Sequence, residues 1–596
     1  VRRAHNLKVN HTNESVHEAI WTDTETAPVK QPDGSDYHYL MFGYGAYART
    51  VRPNEWTRPL WARYQTVNEY WDWVEDRLHG KSRLYMFAHN WAFDAPVLDT
   101  FNVLPERGWK LTGSIIQSPP VILKWRRGPH TIQMVDTLNI WRVPLKKLGE
   151  SIGLPKLTMP DYGAPEADWN AYGKRDVEII MQACQQWWSF LIDNDLGGFA
   201  STLAAQAFRT FRHRFMTNTI LIDDNVDALN LAREALHGGR TECFYIGVCP
   251  VTVTKLDINS QYPAIMRREV MPAKLIGHYK RVTMHELIKW STRYCLVAQV
   301  QVHTNQPAYA VVHDKRLIFP TGEFVTVLCT PEIEYALLHG HIIKVFDVSV
   351  YEPKLLFKEY VNWMHQYRQR CRESGDEVAA INAKLLMNSL YGKFAQKGLI
   401  YKKIDDTDDT EIKVWVELDV ETNTVYHLRQ YGGIIEQLEQ ETESRDSHPA
   451  IAAHITAHAR MQLWGLIQMA GRGNVFYCDT DSIWVNETGA KRLKYFLDAT
   501  ALGKLKVEGV HDDVIIHGPK DYLIDGHARI KGIRKNAKQI GPNTFEQDKF
   551  TTLVGLLRIG QLSAPVVTRL TKRLRREYTK GIVDALGNVS PLSLPR

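Results

Sequence analysis

Tyr477-Cys478-Asp479-Thr480-Asp481-Ser482 is the stretch on which the reading of this chain turns. Val475 and Phe476 lead into it, and Ile483, Trp484 and Val485 lead out, so two short β-forming runs flank a tight turn. Alternation along an extended chain puts Asp479 and Asp481 on one face. Like charges held that close raise each other's pKa unless a cation lies between them. Hard divalent ions such as Mg²⁺ take carboxylate and phosphate oxygens together. The stretch therefore calls for a third acid elsewhere in the chain and for a phosphate-bearing substrate.

Asp257 ends the alternating run Val251-Thr252-Val253-Thr254-Lys255-Leu256 and precedes Ile258-Asn259-Ser260-Gln261-Tyr262-Pro263. An acid at a strand end can meet a carboxylate hairpin across a sheet, although a lone Asp there reads first as a turn or cap residue. Lys384, Asn388 and Tyr391 stand at i, i+4 and i+7 of a helix expected to begin near Asp376, so they share one face. An amine, an amide and a ring on one stripe suit a triphosphate and a base pair; incidental surface polarity accounts for them equally well. Nearer the N-terminus, Asp23 and Glu25 project to one face of a strand. His89-Asn90-Trp91-Ala92-Phe93-Asp94 follows, and Tyr172 and Asp176 lie one turn apart on a helix expected over 168–191. Each of these acids taken singly reads as a solvated surface residue.

At 596 residues the chain exceeds one core, and 44% hydrophobic with 23% charged residues is ordinary for folded domains. Its net charge of +6 is compatible with a polyanionic partner without requiring one. No apolar run approaches the ~20 residues of a membrane span. Val1-Arg2-Arg3-Ala4-His5-Asn6 has no apolar leader core, so a soluble cytoplasmic protein with no membrane partner is expected. Seven scattered cysteines without a C-x-x-C pair support neither a zinc cage nor a disulfide framework. Strands and helices alternate through the first 200 residues, and 353–396 is strongly helical. The charged region 399–446 reads as an inserted hairpin, and the run Arg569, Lys572, Arg573, Arg575, Arg576, Lys580 as a solvated helix face.

In order along the chain, DINSQYP, KLLMNSLYG and YCDTDS resemble the three polymerase motifs of family B DNA polymerases. The N-terminal acids in their order resemble the DEDD-type 3′–5′ exonuclease that precedes the polymerase in that family. The resemblance implies an α/β multidomain fold. A ribonuclease H-like exonuclease domain over 1–200 would precede a right-hand polymerase over 201–596, with fingers near 353–396 and a thumb near 530–596. It also implies dNTP substrates, a DNA primer-template partner and two Mg²⁺ ions per site, with Mn²⁺ as the alternative ion. Asp257 and Asp481 would be the main polymerase ligands, helped by the Ile258 carbonyl, with Asp479 the assistant. Lys384 and Arg372 would neutralise the triphosphate, Asn388 would face the nucleotide, Tyr391 would sense the base pair, and Tyr262 would exclude a 2′-hydroxyl. Gln261 stands where Leu or Ile is commoner. In the exonuclease, Asp23, Glu25, Asp94 and Asp176 would hold the ions and Tyr172 would orient water, with Lys156 the nearest match to a catalytic lysine. Thr26, Asn90, Phe93, Thr137 and Leu138 would grip the single strand.

Length favours the protein-primed branch found in phages and linear plasmids. Leu236-His237-Gly238-Gly239 resembles its linker motif, with Leu236 in place of the usual Tyr and glycines that let backbone approach template phosphate. Thr456 and Arg460 match a template-binding T-x-x-A-R element, and Lys520 and Tyr522 a K-x-Y element at the primer. Inserts at about 275–350 and 399–446 correspond to regions that meet a terminal (priming) protein and wrap downstream DNA for strand displacement. The expected protein is a monomer working in the cytoplasm of the host of a phage or mobile element, or in an organelle. A primer-independent relative is the second enzyme reading. A catalytically silent DNA-binding scaffold would lack a metal carboxylate, and a reverse transcriptase would carry adjacent aspartates at the hairpin.

Overall fold

Glu18–Lys30 buries Ala19 through Thr22 and becomes the axis of the largest sheet. The computed structural model describes residues 2–398, 401–419, 424–439 and 443–594. In it, that strand pairs antiparallel with Asp36–Arg52 and parallel with Arg83–Ala88, beyond which His130–Asp136 also runs parallel. Parallel neighbours need crossovers, and the helices Val67–Glu75 and Trp91–Val97 lie in them. The helix Glu166–Asp193, close to the expected bounds, buries Tyr172, Asp176, Ile180 and Trp187 and packs on Glu18–Lys30.

A second, wholly antiparallel sheet runs Thr241–Cys243, Val475–Asp479, Ser482–Val485, Val253–Ile258, Leu505–His511. The alanine-rich helix Pro449–Ala470 is buried against the core beside it. The helical region expected over 353–396 is a pair of packed helices, Lys358–Glu373 and Glu377–Phe394. Asp376 caps the second, its carboxylate accepting from the Ala379 N–H at 3.0 Å.

The first insert is a sheet of Met271–Lys280, Ile342–Lys354, Cys295–Thr304 and Thr321–Cys329, so it extends beyond 275–350 at both ends. Region 399–446 holds more than the expected hairpin: Tyr401–Asp406, Ile434–Leu438, Thr424–Tyr431 and Lys413–Asp419 form a four-stranded sheet. Positions 399–400, 420–423 and 440–442 of that region lie outside the described residues. The basic run near the C-terminus also departs from expectation. Val566–Arg573 is a strand, because Val566, Val567, Thr568 and Thr571 are β-branched, and its exposure alternates with period two at Arg569, Thr571 and Arg573. It joins Thr544–Phe550 and, through Asp36↔Val567 and Tyr37↔Val566, the N-terminal sheet. That sheet is therefore built from both ends of the chain, and hydrogen bonds cross the expected boundary at residue 200. Among the described residues no helix is long and apolar enough to cross a membrane.

Candidate active sites

Strand Val475–Asp479 stops at Asp479, and Thr480 and Asp481 form a two-residue turn with Thr480 at φ 63°. Asp481 thus stands in the turn, not on the strand face of Asp479, because the chain reverses before alternation can align them. Three backbone bonds fix it: Thr480 N–H to Arg240 O, Asp481 N–H to Asp479 O, and Ile258 N–H to Asp481 O, each 2.7 Å. The last, with the register Asp257↔Ser482, sets Asp257 beside Asp481. Burial pushes Asp481 up to about 6, and the charge of Asp257 adds more to that rise than the charge of Asp479.

Residues missed in the sequence complete the site. Lys506, the register partner of Asp257, places Nζ 3.2 Å from it and 3.3 Å from Glu508, which also pairs with Lys255 at 2.8 Å. Burial and Glu508 raise the Asp257 carboxyl while Lys506 opposes them. Asp479 accepts from Thr241 Oγ1 at 3.0 Å and lies 3.3 Å from Lys520 Nζ. Alternation along 505–511 was a readable strand signal, but its partner was not. The Lys384 ammonium is drawn down by partial burial and by the charges of Arg368, Lys506 and Arg372, while Asp257 opposes them. Asn388 spends its amide N–H on the Lys384 carbonyl at 2.9 Å. Tyr391 and Tyr262 lie ring to ring, centroids 4.6 Å apart. The unusual Gln261 is buried and donates to the Ala459 carbonyl at 3.1 Å, joining helix Gln261–Arg268 to Pro449–Ala470.

Several expected DNA contacts are internal. Arg460 is 1% exposed; its guanidinium donates to Glu332 at 2.8 and 3.1 Å and to the carbonyls of His237 and Gly238 at 3.0 and 3.3 Å. Thr456 is buried, its hydroxyl bonded within its own helix. Tyr522 is buried against Trp484 and Tyr477. Gly239 meets the Asp479–Asp481 turn instead of open space: a β-carbon there would stand 2.7 Å from Thr480 Cγ2. Gly238 is exposed, with nothing within 4 Å of an added β-carbon.

At the N-terminal site, ligand oxygens of Asp23, Glu25 and Asp176 all lie within 4.8 Å of one another. Asp176 is 2% exposed; Lys156 ion-pairs its Oδ2, while Oδ1 is buried without a partner. The Lys156 ammonium also sits 4.4 Å from the Tyr172 ring centroid. A partnerless buried carboxylate oxygen facing two more acids fits a cation, and an all-carboxylate donor set suits a hard one. Burial, then Asp176, pushes Glu25 up to about 8, and burial raises Asp94 to about 7 although the Thr24 hydroxyl donates to it at 2.6 Å. Burial and the charges of Asp176 and Asp94 push Asp23 well above the carboxylate range.

Asp94 stands at the side of the trio. Behind it, Asp136 (not anticipated) ends its strand and accepts from the N–H groups of Asn90 and Leu138 at 3.0 and 2.9 Å, holding Asn90 at φ 104°. Thr137 cannot grip a strand directly: it is fully buried, donating to the Ala88 carbonyl at 3.1 Å and bonded to His89 at 2.8 Å. Leu138, Asn90 and Phe93 remain half-buried at the rim, as does Thr26, whose hydroxyl meets His38 at 3.1 Å.

The chain resembles known proteins in sequence and in fold. The chain is 24% identical to a probable DNA polymerase of Neurospora intermedia, over 54% of its own length and 33% of the relative's. It thus spans about a third of that fungal protein. It is 24% identical to the DNA polymerase of Bacillus phage PZA, over 67% of this chain and 72% of that one. The structure superposes on phi29 DNA polymerase complexed with primer-template DNA with a TM-score of 0.68 at 18% identity, covering 94% of this chain and 100% of that one. The fold is accordingly that of an exonuclease domain followed by palm, fingers and thumb. Residues 167–464, half of the chain, match the family described as DNA polymerase type B, organellar and viral, and the chain belongs to that family.

Proposed function

We propose that this chain is a template-directed DNA polymerase that adds dNTPs to a primer 3′-hydroxyl and removes mispaired 3′ nucleotides at a separate site. One observation carries the reading: the Ile258–Asp481 backbone bond and the register Asp257↔Ser482 hold Asp257 and Asp481 together, with Lys506 3.2 Å from Asp257. Asp257 and Asp481, with the Ile258 carbonyl and with Asp479 assisting, would hold Mg²⁺ (or Mn²⁺) here, and Asp23, Glu25, Asp94 and Asp176 would hold it at the other site. When bound, the ions stabilise charge on the attacking and leaving oxygens. Lys384, Arg368 and Arg372 neutralise the triphosphate as it enters. Lys506 keeps Asp257 aligned on its strand. The Tyr262–Tyr391 ring pair forms the floor beneath sugar and base, which leaves no room for a 2′-hydroxyl. At the second site Lys156 fixes Tyr172 and Asp176 in place, and Tyr172 orients the attacking water. Asn90, Phe93, Thr26 and Leu138 hold the frayed strand. Lys520 approaches the primer beside Asp479. The phage relatives and the two insert sheets support a protein-primed, strand-displacing enzyme, with the 271–354 sheet meeting the priming protein.

The test is extension on a primed circular template, run with and without primer. Asp481→Ala should lower incorporation by about 10²–10³-fold or more while single-strand degradation persists. Asp23→Ala with Asp94→Ala should do the reverse. Incorporation that survives Asp481→Ala would overturn the polymerase assignment. Degradation that survives the double substitution would overturn the exonuclease assignment.

A further inference from the structure

Phe550 belongs to the C-terminal strand Thr544–Phe550, yet its ring lies against the N-terminal site and stays 47% exposed. Its centroid is 6.5 Å from that of Phe93, and Phe93 is 5.7 Å from His38, which is bonded to Thr26 beside Glu25. On the outer side, the guanidinium of Arg534 lies 5.0 Å from the Phe550 centroid. Four planar groups, His38, Phe93, Phe550 and Arg534, therefore follow one another in a line of successive contacts that begins beside the acid cluster. The line is held rigidly. Phe550 pairs with Val567, Val567 pairs with Asp36, and the His38 N–H donates to the Pro565 carbonyl at 3.0 Å.

A ring placed only to glue two parts of a chain together would be buried by the contact. This one offers half its surface to solvent with a cation against it. Exposed rings interleaved with cations suit single-stranded nucleic acid, because every base has a face to stack and every nucleotide a phosphate to neutralise.

We infer that Phe550 and Arg534 extend the single-strand groove of the exonuclease, so that an unpaired 3′ strand is held by the N- and C-terminal parts of the chain at once. Phe550 is a base-stacking platform and Arg534 a phosphate and ring contact; neither touches the reacting atoms. This assignment rests on the exonuclease reading above.

The experiment uses the full chain with Mg²⁺ and follows degradation of a labelled oligothymidylate alongside extension of a matched primer. Loss of one stacked base is worth about 5- to 100-fold in binding. Phe550→Ala should raise KM for the single strand by that factor, leaving the kcat of degradation and matched-primer extension within about twofold. Phe550→Trp should restore KM. Phe550→Leu, which keeps apolar packing without a stacking face, should not. Arg534→Gln should raise KM and flatten its dependence on salt. Equal KM values for the Leu variant and the wild type would show a packing contact and overturn the inference, as would an unchanged KM in the Ala variant. If the Ala variant does not fold, the Leu and Trp variants decide the question. A wild-type chain that degrades no single strand would instead overturn the exonuclease reading itself.

Discussion

Gly239 shows how tightly single positions are specified. A β-carbon there would stand 2.7 Å from Thr480 Cγ2 and 3.1 Å from Thr480 Cα, so the side chain cannot simply rotate away and the turn carrying Asp479 and Asp481 must shift. Displacements of this size misalign reacting groups and cost up to about 10²-fold in rate. Gly239→Ala should therefore depress primer extension by ten- to a hundredfold, while single-strand degradation in the same preparation stays at the wild-type level. Gly238→Ala, one residue away in open space, should change neither. Equal effects at the two glycines would refute the packing argument. The pair was legible in the sequence as a conformational signal, but the partner was not. Backbone freedom suggested approach to a template phosphate, whereas the close neighbour is the turn carrying Asp479 and Asp481. The same holds for Lys506 and Asp136. Carboxylates at strand ends announce themselves by residue type and order, but residues that set their charge or support a loop are chosen by register, which no local pattern records.

At the scale of elements, the helix Pro449–Ala470 explains why a motif can be recognised and its contacts misread. Thr456 and Arg460 stand one turn apart, and their resemblance to a template-binding T-x-x-A-R element implied a DNA contact. The helix is buried around most of its circumference, so its polar side chains turn to internal partners. Arg460 and Glu332, 1% and 2% exposed, form an ion pair that joins this helix to the first insert, and the guanidinium also ties down the carbonyls at 237 and 238. Removing one member of such a pair strands a buried charge and costs about 3–5 kcal/mol. Arg460→Met should lower the thermal midpoint sharply, and Arg460→Met with Glu332→Leu should recover much of the loss, since an apolar pair strands no charge. Additive losses in the double variant would show that the two residues act separately. The strand Val566–Arg573 teaches the complementary lesson. Its basic residues suggested a helix face, but β-branching and its edge pairing with Asp36 and Tyr37 decided otherwise.

Across the whole molecule, separated contacts fasten the N-terminal part to the rest. His5–Asn6 pairs with Leu221–Ile222, Val566–Arg573 completes the N-terminal sheet, and the sheet of the second insert docks on Lys110–Ile116. The third fastening is polar and enclosed. Ser114 Oγ bonds the Tyr431 hydroxyl at 2.7 Å and Glu436 Oε1 at 2.8 Å, while Arg429 pairs with Glu436 at 2.5 Å and stacks 3.7 Å from the Tyr401 centroid. Gly432, at φ 57°, lets the hairpin tip settle against Trp125, Leu111 and Phe101. Glu436 thus satisfies both Ser114 and Arg429, and its loss strands Arg429, which is itself 7% exposed. The penalty of about 3–5 kcal/mol falls on the docking of the insert and not on the central sheet. Where cleavage follows the population of the open form, each 1.4 kcal/mol is about tenfold in rate, so Glu436→Ala should speed proteolytic nicking within 399–446 by at least a hundredfold. Tyr431→Phe, which removes one hydroxyl and leaves the ion pair intact, should speed it less than tenfold. Nicking at the wild-type rate in Glu436→Ala would mean that the apolar contacts of the hairpin tip hold the insert alone, and the polar fastening would then contribute nothing to the docking of the insert on the N-terminal sheet.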